Sequence, residues 1–380
     1  MNEKKPTIQD IVLYARDHDL IDFNRLNQKQ RKVVDDICMC RTEAAGCNME
    51  TCTCGYKRIH YNSCRNPACP MCQRMKCEEW IEKNDYYTLN TTYYHVVFTI
   101  PSELNPYFLR APKFSYNCLF KAVSRTLICL AKDPKYLGGK IGITAVLHTW
   151  SSSLGFHPHI HCIVSGGGIN ESEEWIGKDR FLFPVQVLSK LFRGKFLNLF
   201  RKKYPKDMLE DIKEFDDVIS TCYQKDWVVY TKEPFMNPNA VLKYLGRYTH
   251  KIAISNGRIV SFENGNVTFR YKDYAHGSVI KEMTLSAKEF VRRYLMHVPP
   301  ERFTRIRYYG FMGNAKRAER FKKLREITNT PARGEYKRDI WKIVKKLIGR
   351  DPRYCPKCNS LLQTYKFTIR EVLLEELRLE

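Results

Sequence analysis

The stretch Leu154-Gly-Phe-His-Pro-His-Ile-His-Cys-Ile-Val-Ser-Gly-Gly-Gly168 decides how this chain is read. It is an apolar, strand-like run closed by three glycines. Side chains alternate faces along a strand, so His157, His159 and His161 line one side while Ile160, Cys162 and Val164 line the other. Two imidazoles at i and i+2 on a rigid strand can grip one divalent ion with little entropy left to lose. A hydrogen-bonded structural cluster is the plainer reading of any one of them.

A later segment, Asn237-Pro-Asn-Ala-Val-Leu-Lys-Tyr-Leu-Gly-Arg-Tyr-Thr-His250, predicts a helix. Asn237 can cap it and Pro238 suits its first turn. Tyr244 and Tyr248 are four apart and share a face. Such a pair is more often core packing than chemistry. Together with a histidine pair in a strongly basic protein, it points to metal-assisted attack of a tyrosine on a phosphodiester.

The charge supports that direction. Among 380 residues, 64 Lys and Arg stand against 41 Asp and Glu, a net +23. A charge that large self-repels without an anionic partner, and nucleic acid is the usual one. A hydrophobic content of 43% excludes a mainly disordered chain. No run approaches the ~20 apolar residues of a spanning helix, and the first residues lack a secretory pattern, so a cytoplasmic, nucleoid-associated protein without a membrane partner is expected.

A reduced compartment makes disulfides a poor explanation for fifteen cysteines, nine of which fall between Cys38 and Cys77. Cys69-Pro-Met-Cys72 places two thiolates on one tetrahedral ion, and Cys52-Thr-Cys54 is a tighter pair upstream. One zinc held by Cys52, Cys54, Cys69 and Cys72 is the first expectation. A second ion would use Cys40, Cys47 and Cys64, joined by Cys77 or Cys38. Cys355-Pro-Lys-Cys358 is another half-knuckle with no second pair nearby, so its partners would come from elsewhere.

The periodicities divide the chain into a helical segment at 1–34, a zinc-binding domain at 35–85, a catalytic domain at 86–300 and a basic helical region at 301–380. Residues 7–36, 102–133 and 181–204 read as helical, the last as a basic amphipathic stretch. Tyr93–Ile100 and Ile141–His148 read as central strands, Trp227–Tyr230 as a short strand, and Arg258–Phe262 with Val267–Tyr271 as a hairpin. A basic helical tract follows at Asn314–Arg325, and an acidic-apolar helix begins at Arg370. The expected fold is α+β: an antiparallel sheet with the histidine strand at its centre, helices on one face including the tyrosine helix, and a zinc module ahead of it. The tracts Arg193–Lys203 and Lys316–Arg325 are expected to follow a phosphate backbone, and the 23 tyrosines to stack unpaired bases.

Several segments in order resemble the HUH-type rolling-circle transposases of the insertion-sequence-ninety-one kind. They are Tyr61-Asn-Ser-Cys-Arg-Asn66 with Cys69-Pro-Met-Cys-Gln73, His95-Val-Val-Phe-Thr-Ile-Pro101, His157-Pro-His-Ile-His161 with Gly166-Gly-Gly168, Phe183-Pro-Val-Gln-Val-Leu-Ser-Lys-Leu-Phe-Arg193, and Tyr244-Leu-Gly-Arg-Tyr-Thr-His250. Two departures stand out. The first knuckle is Cys-x-Cys where the family usually has Cys-x-x-Cys, and Ala68 and Cys47 stand where histidines are usual.

The resemblance implies an HUH endonuclease sheet of the RRM or palm-like kind, structural zinc, and catalytic magnesium or manganese held by His159 and His161. His157, His250 or an unplaced carboxylate or amide is left to complete the ligand set. Tyr248 is the first choice of nucleophile, with Tyr244 for a second transfer, each forming a covalent 5′-phosphotyrosine link on single-stranded DNA at element ends and targets. A phenol with pKa ~10 needs a nearby cation to attack, and Arg247 and Lys251 are in place beside it, with Arg193 as a further DNA contact. A plasmid-type replication initiator or relaxase, and a non-enzymatic zinc DNA-binding protein, are the competing readings.

Overall fold

The computed structural model describes residues 5–177, 183–235, 246, 253–274 and 276–367. The expected helix from Arg370 lies outside them. Residues 7–36 form two helices instead of one, α1 (Ile8–Asp17) and α2 (Gln28–Met39). Each starts on a capping box, Thr7 with Asp10 and Asn27 with Gln30, in which side chains satisfy the first orphan N–H groups. The second box sits inside the expected helix, which is why the segment breaks there. Ile8, Ile11, Val12, Val33, Val34 and Ile37 are buried with Val267, Phe269, Phe290 and Tyr294, so these helices share a core with a distant part of the chain.

A hairpin follows, β1 (Cys47–Thr51) and β2 (Lys57–Tyr61), then α3 (Gln73–Tyr86). The central sheet comprises β3 (Tyr93–Thr99), β4 (Lys140–Trp150), β5 (Phe156–Ile169), β7 (Val229–Phe235) and β11 (Ile306–Gly310), with β6 (Trp175–Gly177) pairing with the end of β5. The order is β11-β4-β5-β3-β7 and each pairing is antiparallel, as expected, with the histidine strand in the middle. The sheet reaches past the 86–300 span, because β11 supplies its edge. The glycines that end β5 admit close neighbours: a Cβ on Gly166 would lie 1.9 Å from Thr92 Oγ1.

Alternation divides the sheet into two unlike faces. Phe98, Val96, Ile160, Cys162, Val164, Ile143 and Ala145 face an apolar layer made by α4 (Asn105–Arg110), α5 (Pro112–Lys132), α6 (Val185–Lys203) and α7 (Ile212–Gln224). Phe192, Phe196 and Phe200 of α6 and Leu119, Phe120 and Val123 of α5 fill it. The opposite face carries the histidines and is covered at one end by α3, whose Trp80 packs on Tyr93 and Ile163. Helices therefore cover both faces, not one as expected.

The expected hairpin forms as β8 (Ile259–Glu263) and β9 (Asn266–Asp273), extended by β10 (Val279–Ser286) and followed by α8 (Ala287–Met296). Beyond β11 come α9 (Arg317–Ile327), α10 (Ile340–Ile348) and β12 (Gln363–Phe367). β12 returns to pair with β1, giving the order β12-β1-β2. Among the described residues no helix is long and apolar enough to cross a membrane.

Candidate metal centre and thiol clusters

Four histidines from three adjacent strands meet on one face of the central sheet. His148 on β4 lies opposite His159 on β5 in the ladder, so the two side chains leave the same face, and His161 follows two residues along. The potential ligand atoms of His148, His159 and His161 lie within 4.8 Å of one another. His159 Nε2 and His161 Nε2 are 3.1 Å apart. Metal–nitrogen bonds of about 2.1 Å at angles of roughly 90–109° put two ligand nitrogens about 3.0–3.4 Å apart. The pair thus has the spacing of two ligands on one ion.

The outer contacts agree with that role. His159 Nδ1 donates to the His157 carbonyl at 2.6 Å; a carbonyl only accepts, so the proton is on Nδ1 and Nε2 keeps its lone pair. His161 Nδ1 lies 2.9 Å from His95 Nε2, with the two rings parallel to within 5°. For His161 to ligate through Nε2, its Nδ1–H must donate to His95. Burial pushes His159 and His95 down to about 4 and His161 well below its ordinary value, so all three are neutral at pH 7. Neutral imidazoles with inward lone pairs fit a divalent cation.

His148 and His95 both lie inside runs that read as strands, and neither run by itself marks its histidine as part of a site. Pairing register, absent from a single strand's pattern, is what brings them to His159 and His161. His157 contributes a backbone carbonyl, and its ring stands 5.2 Å from that of His159.

The thiols also converge. Cys40, Cys64, Cys69 and Cys72 form one group and Cys52, Cys54, Cys355 and Cys358 another. Cys40 and Cys64 stand 3.6 and 3.7 Å from Cys72, sulfur to sulfur. Zinc–thiolate bonds of about 2.3 Å in a tetrahedron give edges of about 3.8 Å. The expected grouping is thus corrected: Cys52 and Cys54 do not join Cys69 and Cys72. The hairpin β1–β2 carries its thiols away from α3, where Cys72 is the residue before the first turn. Cys47 is buried at the start of β1 and belongs to neither group, and neither does Cys38. Cys77, on α3, donates to the Gly246 carbonyl at 2.7 Å and joins neither group.

Tyr244, Arg247, Tyr248, His250 and Lys251 lie outside the described residues. Gly246, between the two tyrosines in sequence, is described, and its α-carbon is pressed against α3: a Cβ there would meet Ile81 Cδ1 at 2.3 Å.

The chain has recognisable sequence relatives. A family profile described as "Transposase zinc-binding domain" matches residues 12–100, and one described as "Putative transposase" matches residues 142–320. The chain is 40% identical over 380 residues to "Putative transposase y4qJ" of Sinorhizobium fredii, covering 95% of this chain and 94% of that protein. The chain belongs to the transposase family of the insertion-sequence-ninety-one kind. This transposase is also 27% identical over 354 residues to the "Transposase for insertion sequence element IS801" of Pseudomonas savastanoi pv. phaseolicola, covering 90% of this chain and 84% of that protein. No solved structure matches.

The matched zinc-binding segment contains Cys40, Cys64, Cys69, Cys72, Cys52 and Cys54, whereas Cys355 and Cys358 lie beyond both matched segments. Three arginines of the two expected basic tracts are packed inward in the transposase, while Arg201, Lys202, Lys203, Lys316, Lys322 and Lys323 stay exposed. Arg193 is on α6, across the sheet from the histidines; its side chain is 17% exposed, donates to the Lys225 carbonyl at 2.6 Å and covers the Tyr223 ring. Arg317 and Arg325 on α9 are 6% exposed, and Arg317 stacks on Tyr87 at 3.9 Å. These three guanidiniums pack against aromatic and carbonyl partners rather than lying on an open face.

Proposed function

We propose that this transposase cuts and rejoins single-stranded DNA at element ends through a covalent 5′-phosphotyrosine intermediate, as in rolling-circle transposition. The convergence of His148, His159 and His161 is the observation that carries this reading. These three residues would hold magnesium or manganese, and a divalent ion bound there supplies polarisation of the scissile phosphate. His95 holds the His161 ring in the ligating tautomer. Cys40, Cys64, Cys69 and Cys72 would hold a structural zinc at the start of α3.

Tyr248 is the proposed nucleophile. Its phenol oxygen bonds to phosphorus, its proton leaves to solvent or a base, and the bond to the departing strand breaks to give a free 3′-hydroxyl. Tyr244 performs a second transfer of the same kind, and reversal by a 3′-hydroxyl rejoins strands without ATP. Arg247 and Lys251 favour the phenolate.

Among the described residues β7 is an edge of the sheet, and its histidine side suits an unpaired strand. On edge strand β7, Tyr230 lies opposite Val97 and Lys232 opposite His95, so both project on the histidine side. Tyr230 is 55% exposed and offers a stacking surface, and Lys232 adds a cation for the backbone. Acting on DNA, the protein works at the nucleoid.

The test is to incubate a single-stranded element end with the protein and manganese and look for a denaturation-resistant adduct. The adduct should vanish in Tyr248→Phe. Binding without any adduct would leave only a zinc DNA-binding protein; an adduct lost in Tyr244→Phe but kept in Tyr248→Phe would reverse the order of the tyrosines. Joining of two ends, as opposed to nicking at one origin, separates transposition from replication initiation.

A further inference from the structure

The chain's last described strand comes back to its first. β12 pairs with β1 in antiparallel register, Cys47 opposite Phe367 and Thr51 opposite Gln363. Just ahead of β12, Cys355 and Cys358 meet Cys52 and Cys54 at the end of β1: Cys52 Sγ stands 3.3 Å from Cys358 Sγ and Cys54 Sγ 3.6 Å from Cys355 Sγ. All four sulfurs lie within 4.8 Å of one another. The backbone prepares the turn as well, since the Lys357 N–H donates to Cys355 Sγ at 3.4 Å, as amides in thiolate knuckles do. Four bare thiols drawn this close form only weak hydrogen bonds. A tetrahedral thiolate site accounts for the spacing.

We infer that Cys52, Cys54, Cys355 and Cys358 form a second zinc site, a clasp that joins the C-terminal arm to the amino-terminal module. The arm reaches the clasp along α3. Arg338, Lys342 and Lys346, at the spacing of one helix face on and before α10, pair with Glu79, Glu82 and Glu78 at 2.5, 3.1 and 2.7 Å. These exposed pairs are individually weak and set register more than they hold. The zinc supplies the hold. On binding, the four thiols release their protons to solvent and leave no open coordination position, so the site is structural. It is independent of the strand-cleavage reading.

The test uses the full chain. Zinc released by denaturation is counted in the wild type, in Cys355→Ser/Cys358→Ser and in Cys69→Ser/Cys72→Ser. Each double variant should hold one thiolate-bound zinc fewer, and cobalt substitution distinguishes thiolate sites from the histidine site by their sulfur-to-metal charge-transfer bands. Because a variant could lose zinc by unfolding, alkylation of the wild type with increasing chelator is the second measurement. Cys52, Cys54, Cys355 and Cys358 should become reactive together, as a group separate from Cys40, Cys64, Cys69 and Cys72. Equal zinc in the wild type and in Cys355→Ser/Cys358→Ser overturns the clasp. So does alkylation of Cys355 and Cys358 while Cys52 and Cys54 stay protected.

Discussion

Cys77 Sγ on α3 donates a 2.7 Å hydrogen bond to the Gly246 carbonyl, which ties the residue between the two candidate nucleophiles to the helix that Cys72 caps. Gly246 leaves no room for a side chain, because a Cβ would lie 2.3 and 2.4 Å from Ile81 Cδ1 and Cγ1. Gly246→Ala should therefore cost about 1–3 kcal/mol of overpacking, with a drop in adduct yield that Ile81→Ala partly restores. Cys77→Ser should keep the full zinc content, since Cys77 lies in neither thiol group. Urea unfolding, adduct yield and metal analysis check these outcomes; loss of a zinc in Cys77→Ser would contradict the grouping.

His148 and His157 are rival third ligands that the ladder separates. His148→Ala should abolish manganese binding measured by calorimetry or by paramagnetic broadening. His157→Ala should leave most of it, because His159 uses only the His157 backbone carbonyl. The reverse outcome would shift the centre toward the start of β5, with His157 in place of His148.

His95 touches the metal centre through His161 and acts by positioning it. Loss of such an outer partner typically weakens metal affinity about 10–100-fold. His95→Ala should show that shift and regain activity at raised manganese, whereas His95→Gln, whose amide oxygen can still accept from His161 Nδ1, should recover part of the affinity. An unchanged metal titration in His95→Ala would reduce His95 to packing.

A histidine outside the candidate centre, His297, adds its own share to the loss of stability in acid alongside His95, His159 and His161. His297 is 2% exposed, held between Thr149 Oγ1 and the Leu154 carbonyl, and burial pushes it down to about 4. An unfolded histidine titrates near 6.5. Between those values the unfolded chain binds a proton that the folded chain refuses, so this contribution to stability is full above about 6.5 and falls as pH drops toward 4. The loss is about 1.4 kcal/mol per pH unit at most. In denaturant titrations at pH 7.5 and 4.5, His297→Asn should be less stable at the higher pH and show a smaller drop between the two. An identical drop in both proteins would assign the pH dependence elsewhere.

Within the fold, β5 and its alternation were legible because a period of two is written into one short stretch. The order of strands around it was legible in outline only. His148 escaped notice because a bulge between His148 and Trp150 shifts the register, and no count along either strand reveals which residues face across. The cysteines misled for a related reason: proximity in sequence favoured joining Cys52 and Cys54 to Cys69 and Cys72, whereas Cys52 meets a partner 306 positions away. The run Lys316–Arg325 reads as a tract along a phosphate backbone, yet aromatic rings at Tyr87 and Tyr308 take Arg317 inward. Local chemistry was readable, and long-range closure was not.

The pairing of β1 with β12 also sets a timetable for synthesis. With Cys358 306 positions after Cys52, a ribosome adding about 5–20 residues per second needs roughly 15–60 s to deliver the missing strand. Throughout that interval the nascent β1 keeps an uncovered edge, the kind of surface that captures stray strands. Any copy cut short before position 355 would carry that vulnerability for its whole lifetime.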